Sequence, residues 1–169
     1  MPKGWKLQRF YHTVINAKDL QRSVDFYASL GFEVLHDRRH IAWPENLAAM
    51  FGLKKGRGGG VLMVAPLDEQ GSPPTMLDII EWKEPLAEFP DPAKRGETVP
   101  RLFAFKVDNV QAAYDDLKAR GVTFTEGAFL KPEGMMTIGA IFFYDPDGNL
   151  IELVELKPGA RHSQDFKKT

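Results

Sequence analysis

At 169 residues, with 43% hydrophobic and 27% charged side chains, the chain has the size and composition of one folded domain rather than a disordered segment. A net charge of −1, with no basic stripe along any predicted element, argues against nucleic acid as a partner. The absence of cysteine excludes a disulfide framework, a thiol nucleophile and a thiolate metal site. No apolar run reaches membrane-span length and MPKGWKLQRFYH at 1–12 has no signal-peptide core, so a cytoplasmic protein with no membrane partner is expected.

In chain order, residues 7–16 read as a first strand containing His12. Asp19 is the expected N-cap of an amphipathic helix whose buried stripe is Leu20, Val24 and Tyr27. Residues 32–39 continue as a second strand, with Phe32, Val34 and His36 on one side. Pro44 opens a short helical stretch over 46–51, whose Leu47, Met50 and Phe51 either pack on the core or cap a ligand cavity. The run KKGRGGG at 54–60 lacks the GxxxxGK[ST] spacing of a phosphate loop and is expected to be a flexible connection. Strands follow at 61–65 and 76–82, with a turn at 68–74 between them. Four prolines and little periodicity mark a linker ending at residue 100. Beyond it lie a strand at 102–107, a helix at 110–120, and strands at 122–129, 136–143 and 150–156. The last strand follows the turn Asp145-Pro146-Asp147-Gly148, in which Pro sets φ, Asp bonds nearby backbone and Gly accepts positive φ. Residues 158–169 read as a polar tail.

The chain repeats itself. YHTVINAKDLQRSVDFYASLG at 11–31 slides under RLFAFKVDNVQAAYDDLKARG at 101–121, so that Val14 meets Ala104, Leu20 meets Val110, Tyr27 meets Leu117 and Gly31 meets Gly121. Likewise MLDIIEW at 76–82 slides under LIELVEL at 150–156, which sets Asp78 on Glu152 and Glu81 on Glu155. The offset is 90 residues between His12 and Leu102 and 74 between Asp78 and Glu152, so the first copy carries about 16 extra residues, as a loop insertion would. The order is βαβββ twice: module one at 5–84, a linker at 85–100, module two at 101–157 and the tail, all within a single domain at 1–169.

Glu152 stands out within its strand, because a carboxylate among apolar side chains costs several kcal/mol to bury unless it is paired, protonated or bound to a metal. An edge strand with one wet face is the other reading. His12 reads either as a ligand or as a structural histidine bonded to a backbone carbonyl, and Asp78 either as a ligand or as the partner of water, an Arg or a Lys. His36, His40 and His162 lie in or near loops and the tail and have no support as ligands. The many aromatic residues fit a core or the lining of a cavity equally well.

HTVINAKDLQRSVDFYASLGFEVL at 12–35, KVDNVQAAYDDLKARGV at 106–122 and FFYDPDGNLIELVE at 142–155 carry a resemblance to the vicinal oxygen chelate superfamily. That superfamily includes glyoxalase I, extradiol dioxygenases, and fosfomycin and bleomycin resistance proteins. The resemblance implies an α+β fold in which two βαβββ modules in tandem form a curved mixed sheet cup. It also implies a divalent metal held by one residue from the first and last strand of each module. Matched by position, these are His12, Asp78, Leu102 and Glu152. Leu102 cannot bind a metal, and Asp78 is shorter than the glutamate usual at its position. His12, Asp78 and Glu152 are therefore the candidate ligands for Mn, Fe, Co, Ni or Zn, with open positions for water and a chelating substrate.

Three functions are then open. In the first, a glyoxalase-like lyase or isomerase chelates two adjacent oxygens of a small substrate, and Glu152 moves the proton α to the carbonyl. In the second, a metal-free protein sequesters an aromatic or drug-like ligand, as the loss of a ligand at Leu102 and a content of 12 Phe and 3 Trp suggest. In the third, the cup is empty and the domain regulatory. Extradiol dioxygenase chemistry has less support, since Leu102 stands where a second histidine is needed. A homodimer is expected, because in some relatives a partner chain completes each cup and because exposed strand edges favour pairing.

Overall fold

The computed structural model describes residues 11–41, 47–67, 74–95, 97, 101–125 and 137–157, without the side chains of 47, 48 and 137. Its contacts divide the chain into two units, Met1–Phe89 and Pro90–Thr169, with the division inside the expected linker.

The first unit contains β1 (Thr13–Asn16), α1 (Leu20–Ser29), β2 (Glu33–Asp37), the single-turn helix α2 (Leu47–Met50), β3 (Arg57–Val64) and β4 (Met76–Glu84). Its sheet runs in the order β1-β4-β3-β2, with β1 parallel to β4 and the other pairs antiparallel. Asp19 caps α1 through a hydrogen bond from the Arg22 amide (3.0 Å), which satisfies one of the helix's orphan donors. Past the far end, Gly31 takes φ +97°, a left-handed conformation that a side chain would oppose. Leu20, Val24 and Tyr27 then face a sheet surface of Ile15, Leu77, Ile79, Val61 and Met63, all buried. Burying each such side chain contributes about 1.5–3 kcal/mol.

The second unit repeats the plan with β5 (Leu102–Lys106), α3 (Val110–Ala119), β6 (Thr137–Tyr144) and β7 (Leu150–Leu156), in the sheet order β5-β7-β6. Asn109 caps α3 through the Ala112 amide (2.9 Å), Gly121 takes φ +81°, and Val110, Leu117, Ile141, Phe143 and Ile151 form the core. The register carries the duplication to the residue. Val14 stands opposite Asp78 in the parallel pair of the first unit, and Ala104 stands opposite Glu152 in that of the second.

Two expectations need correction. Of KKGRGGG only residues 54–56 lie outside a strand: β3 begins at Arg57, and Gly58, Gly59 and Gly60 pair with Trp82, Glu81 and Ile80. The reason is close backbone approach. A Cβ on Gly59 would sit 3.1 Å from the Arg39 carbonyl oxygen, and one on Gly60 would sit 3.0 Å from that of Ile79. In place of a strand over 122–125 there is a single bridge, Phe124 to Phe143. The rest of that expected strand, residues 7–10 of the first strand, residues 68–73 of the expected turn and the tail lie outside the described residues.

Candidate functional site

Strand alternation assigns each candidate to a sheet face. In the first unit Val14, Asn16, Met76, Asp78, Ile80 and Trp82 share the face opposite α1, and the 3.1 Å hydrogen bond from Trp82 Nε1 to Asn16 Oδ1 ties that face together. His12, expected within the first strand, lies just before β1, two residues ahead of Val14. It is half-buried; its ring packs edge-on against Tyr11 at 5.0 Å, and its Nδ1 is buried with no hydrogen-bond partner among the described residues. Among the described residues, the backbone-carbonyl bond of a structural histidine is therefore absent at Nδ1. Such an uncommitted buried nitrogen costs about 1–3 kcal/mol unless something binds the ring.

Asp78 is 7% exposed and is ion-paired with Arg38, the residue that follows β2. Arg38 is a partner of Asp78 that the sequence did not single out. The chain separates it from Asp78 by 40 positions, and the register placing the two together becomes visible only when β2, β3 and β4 are aligned. The available signal was the glycine run that lies between them. Phe51 meets Trp82 edge-on at 5.3 Å, on the Asp78 side of the sheet, while Met50 beside it is exposed.

In the second unit Glu152 shares its face with Leu150, Val154, Leu102, Ala104, Phe142, Tyr144 and Lys106. The carboxylate is half-buried and has no hydrogen bond or ion pair among the described residues. Leu102 is 48% exposed and supplies only hydrocarbon. The turn that launches β7 is closed around buried Asp145, whose Oδ1 accepts from the amides of Asp147 (2.9 Å) and Asn149 (2.8 Å). Its Oδ2 accepts from the Asn149 side chain (2.8 Å), and Gly148 takes φ +88°. This closure sets where β7 starts and hence the face on which Glu152 lies.

Glu155, on the opposite face, has a different task. Its Oε2 accepts from the Val110 amide (2.9 Å) at the start of α3, where the orphan N–H groups and the helix dipole favour an anion. Glu81, its repeat partner, is ion-paired with Lys83. Among the described residues no three His, Asp or Glu side chains converge as a metal-holding group, and His36 and His40 are exposed.

Against known proteins, the family model described as the Glyoxalase/Bleomycin resistance protein/Dioxygenase superfamily matches residues 9–153. The chain belongs to this superfamily. Among curated relatives, a lactoylglutathione lyase of Escherichia coli O157:H7 is 29% identical over 158 residues, covering 90% of this chain and 96% of the relative. Among solved structures, a glyoxalase family protein from Bacillus cereus aligns with a TM-score of 0.68 at 16% identity, covering 90% of this chain and 97% of the other. A fosfomycin resistance protein, FosX, from Listeria monocytogenes, solved with Mn(II) and sulfate, aligns with a TM-score of 0.56 at 19% identity, covering 90% and 96%. The fold is the α+β fold of the glyoxalase family. No helix among the described residues is long and apolar enough to cross a membrane.

Proposed function

We propose that this chain is a glyoxalase-like enzyme that acts on a small substrate with two adjacent oxygens, using a divalent metal, with His12 of the first unit and Glu152 of the second each proposed as a metal ligand. The observation that carries the proposal is Glu152, a half-buried carboxylate with no partner among the described residues, flanked by Leu150, Ala104, Phe142 and Val154. The cation of that face, Lys106, stands opposite Val154 and forms no ion pair with Glu152 among the described residues. An uncommitted carboxylate in such a setting is poised either to bind a cation or to move a proton. The unpartnered Nδ1 of His12 leaves that imidazole free of a structural bond there, which suits a ligand role. Membership of the superfamily, together with the relatives described as a lactoylglutathione lyase and a Mn(II)-bound resistance protein, agrees with metal-dependent chemistry.

The donor set fits a metal in part. An imidazole and a carboxylate suit Mn, Fe, Co, Ni or Zn, whereas Asp78 is engaged by Arg38 and Leu102 offers no donor. When bound, the metal would supply Lewis acidity to the two substrate oxygens. Glu152 would accept the proton α to the substrate carbonyl and return it to the neighbouring carbon, which is the work of a lyase or isomerase of this type. The active form is proposed to be a homodimer, which light scattering on the purified protein checks.

A second reading, a metal-free binder of an aromatic or drug-like ligand, is favoured by the Arg38–Asp78 pair and by Leu102 at the fourth position. The test is turnover of α-hydroxy ketones and 1,2-dicarbonyl adducts in deuterium oxide by metal-loaded protein, with product deuteration read by NMR. The enzyme reading expects deuterated product from the parent and none from Glu152→Gln. Absence of turnover, together with ligand binding that Glu152→Gln leaves unchanged, would establish the binder instead.

A further inference from the structure

Within the first unit Arg38 does something that the duplicated acids do not announce. Arg38 leaves the end of β2 with its amide hydrogen-bonded to the Gly60 carbonyl oxygen (2.9 Å), and its guanidinium crosses β3 to reach the Asp78 carboxylate on β4. Gly60 lies beside the crossing. A Cβ there would stand 3.5 Å from Asp78 Oδ1 and 3.4 Å from Ile80 Cγ1, in the space beside the ion pair. The Asp78 side chain is 11% exposed and that of Arg38 is 42% exposed, so the carboxylate is closed in while the cation reaches outward. Arg38 Nε is itself buried without a hydrogen-bond partner among the described residues, and Nη2 is the atom that bonds the Asp78 carboxylate.

We infer that Arg38 is the resident cation of Asp78, and that it withholds this carboxylate from any divalent metal. A nearly buried carboxylate needs one positive partner, and a guanidinium at hydrogen-bond distance neutralises it and fills its lone-pair directions. A divalent ion approaching the same oxygen meets a fixed positive charge a few ångströms away and little net negative charge to attract it. Glu152, the repeat partner of Asp78, has no such cation among the described residues, so the two duplicated acids have diverged in role. The inference rests on the proposal above only in taking His12 and Glu152 as the ligands that remain. Its distinct content is that Arg38 and a metal compete for Asp78.

Direct Mn(II) binding to the full chain, measured by isothermal titration calorimetry and by the EPR signal of free Mn(II), tests it on the parent, Asp78→Asn, Arg38→Met and the double variant. Asp78→Asn is expected to leave parent affinity within about twofold, and Arg38→Met to raise it by about tenfold or more as an opposing charge is removed. The double variant should return to the parent value, since the gain requires the freed carboxylate. Loss of about tenfold in affinity on Asp78→Asn with Arg38 present would overturn the inference, as would an Arg38→Met variant that binds no better than the parent. If the parent binds no Mn(II) at all, the proposed metal function fails. The inference then stands on whether Arg38→Met gains binding that Asp78→Asn abolishes, and no gain overturns it. Arg38→Gln, which removes the charge and keeps a polar stem, carries the same expectations should the methionine variant misfold.

Discussion

Glu152 stands directly opposite Ala104 on the parallel strands β7 and β5, and Phe142 is its partner on β6. The methyl group of Ala104 leaves the carboxylate open on that side. Ala104→Leu places a bulky side chain next to Glu152 in a pair whose Cβ atoms lie about 4.5–5.5 Å apart. Metal uptake should fall by about tenfold, while stability stays within about 0.5 kcal/mol of the parent because Ala104 is exposed. Metal titration beside a thermal melt checks both halves.

Gly60→Ala is expected to destabilise the first unit by about 1–3 kcal/mol, since the new methyl meets the Ile79 carbonyl oxygen at 3.0 Å within a paired ladder. Calorimetry should show a fall of roughly 2–4 °C in Tm for each kcal/mol lost. Gly59→Ala should behave similarly, through its 3.1 Å approach to the Arg39 carbonyl oxygen.

The acids of β7 should separate cleanly. Glu155→Ala deletes the acceptor of the Val110 amide and is predicted to cost about 0.5–2 kcal/mol, as removal of a helix cap does, with metal content unchanged. Glu152→Ala should do the reverse, removing metal at little cost in stability. Denaturant unfolding combined with elemental analysis distinguishes the two patterns.

Much of the fold was legible because the duplication is local. The helix stripes of Leu20, Val24 and Tyr27 and of Val110 and Leu117, and the closing glycines at 31 and 121, depend on short spacings that sequence displays directly. The glycine run at 58–60 was misread because its composition matches a loop, whereas its cause is the backbone of Arg39 and Ile79, both distant in sequence. For the same reason the sequence offered Arg or Lys as a partner for Asp78 but no particular residue. Glu155 shared an acid pattern with Glu152, and only the fold places its carboxylate at the start of α3, since a cap supplied from 45 residues away leaves no local signature.

Acid should weaken the turn after β2. Hydrogen bonds from the Arg39 side chain and amide hold the Asp37 carboxyl at about 2, below the 3.8 of a free carboxyl. Because the folded value is the lower one, the contribution of ionised Asp37 is fully present above 3.8 and is lost as the pH falls toward about 2. Asp37→Asn should be less stable than the parent at neutral pH, and the gap should close over that interval in urea unfolding at graded pH.

The central proposal is that the protein binds a divalent metal with His12 and Glu152 each as a ligand, and elemental analysis of the untreated protein beside His12→Ala and Glu152→Ala tests it most directly. Near-stoichiometric metal in the parent that disappears in both variants is the predicted result. A parent that remains metal-free after anaerobic loading, or variants that retain the parent's metal content, would contradict it.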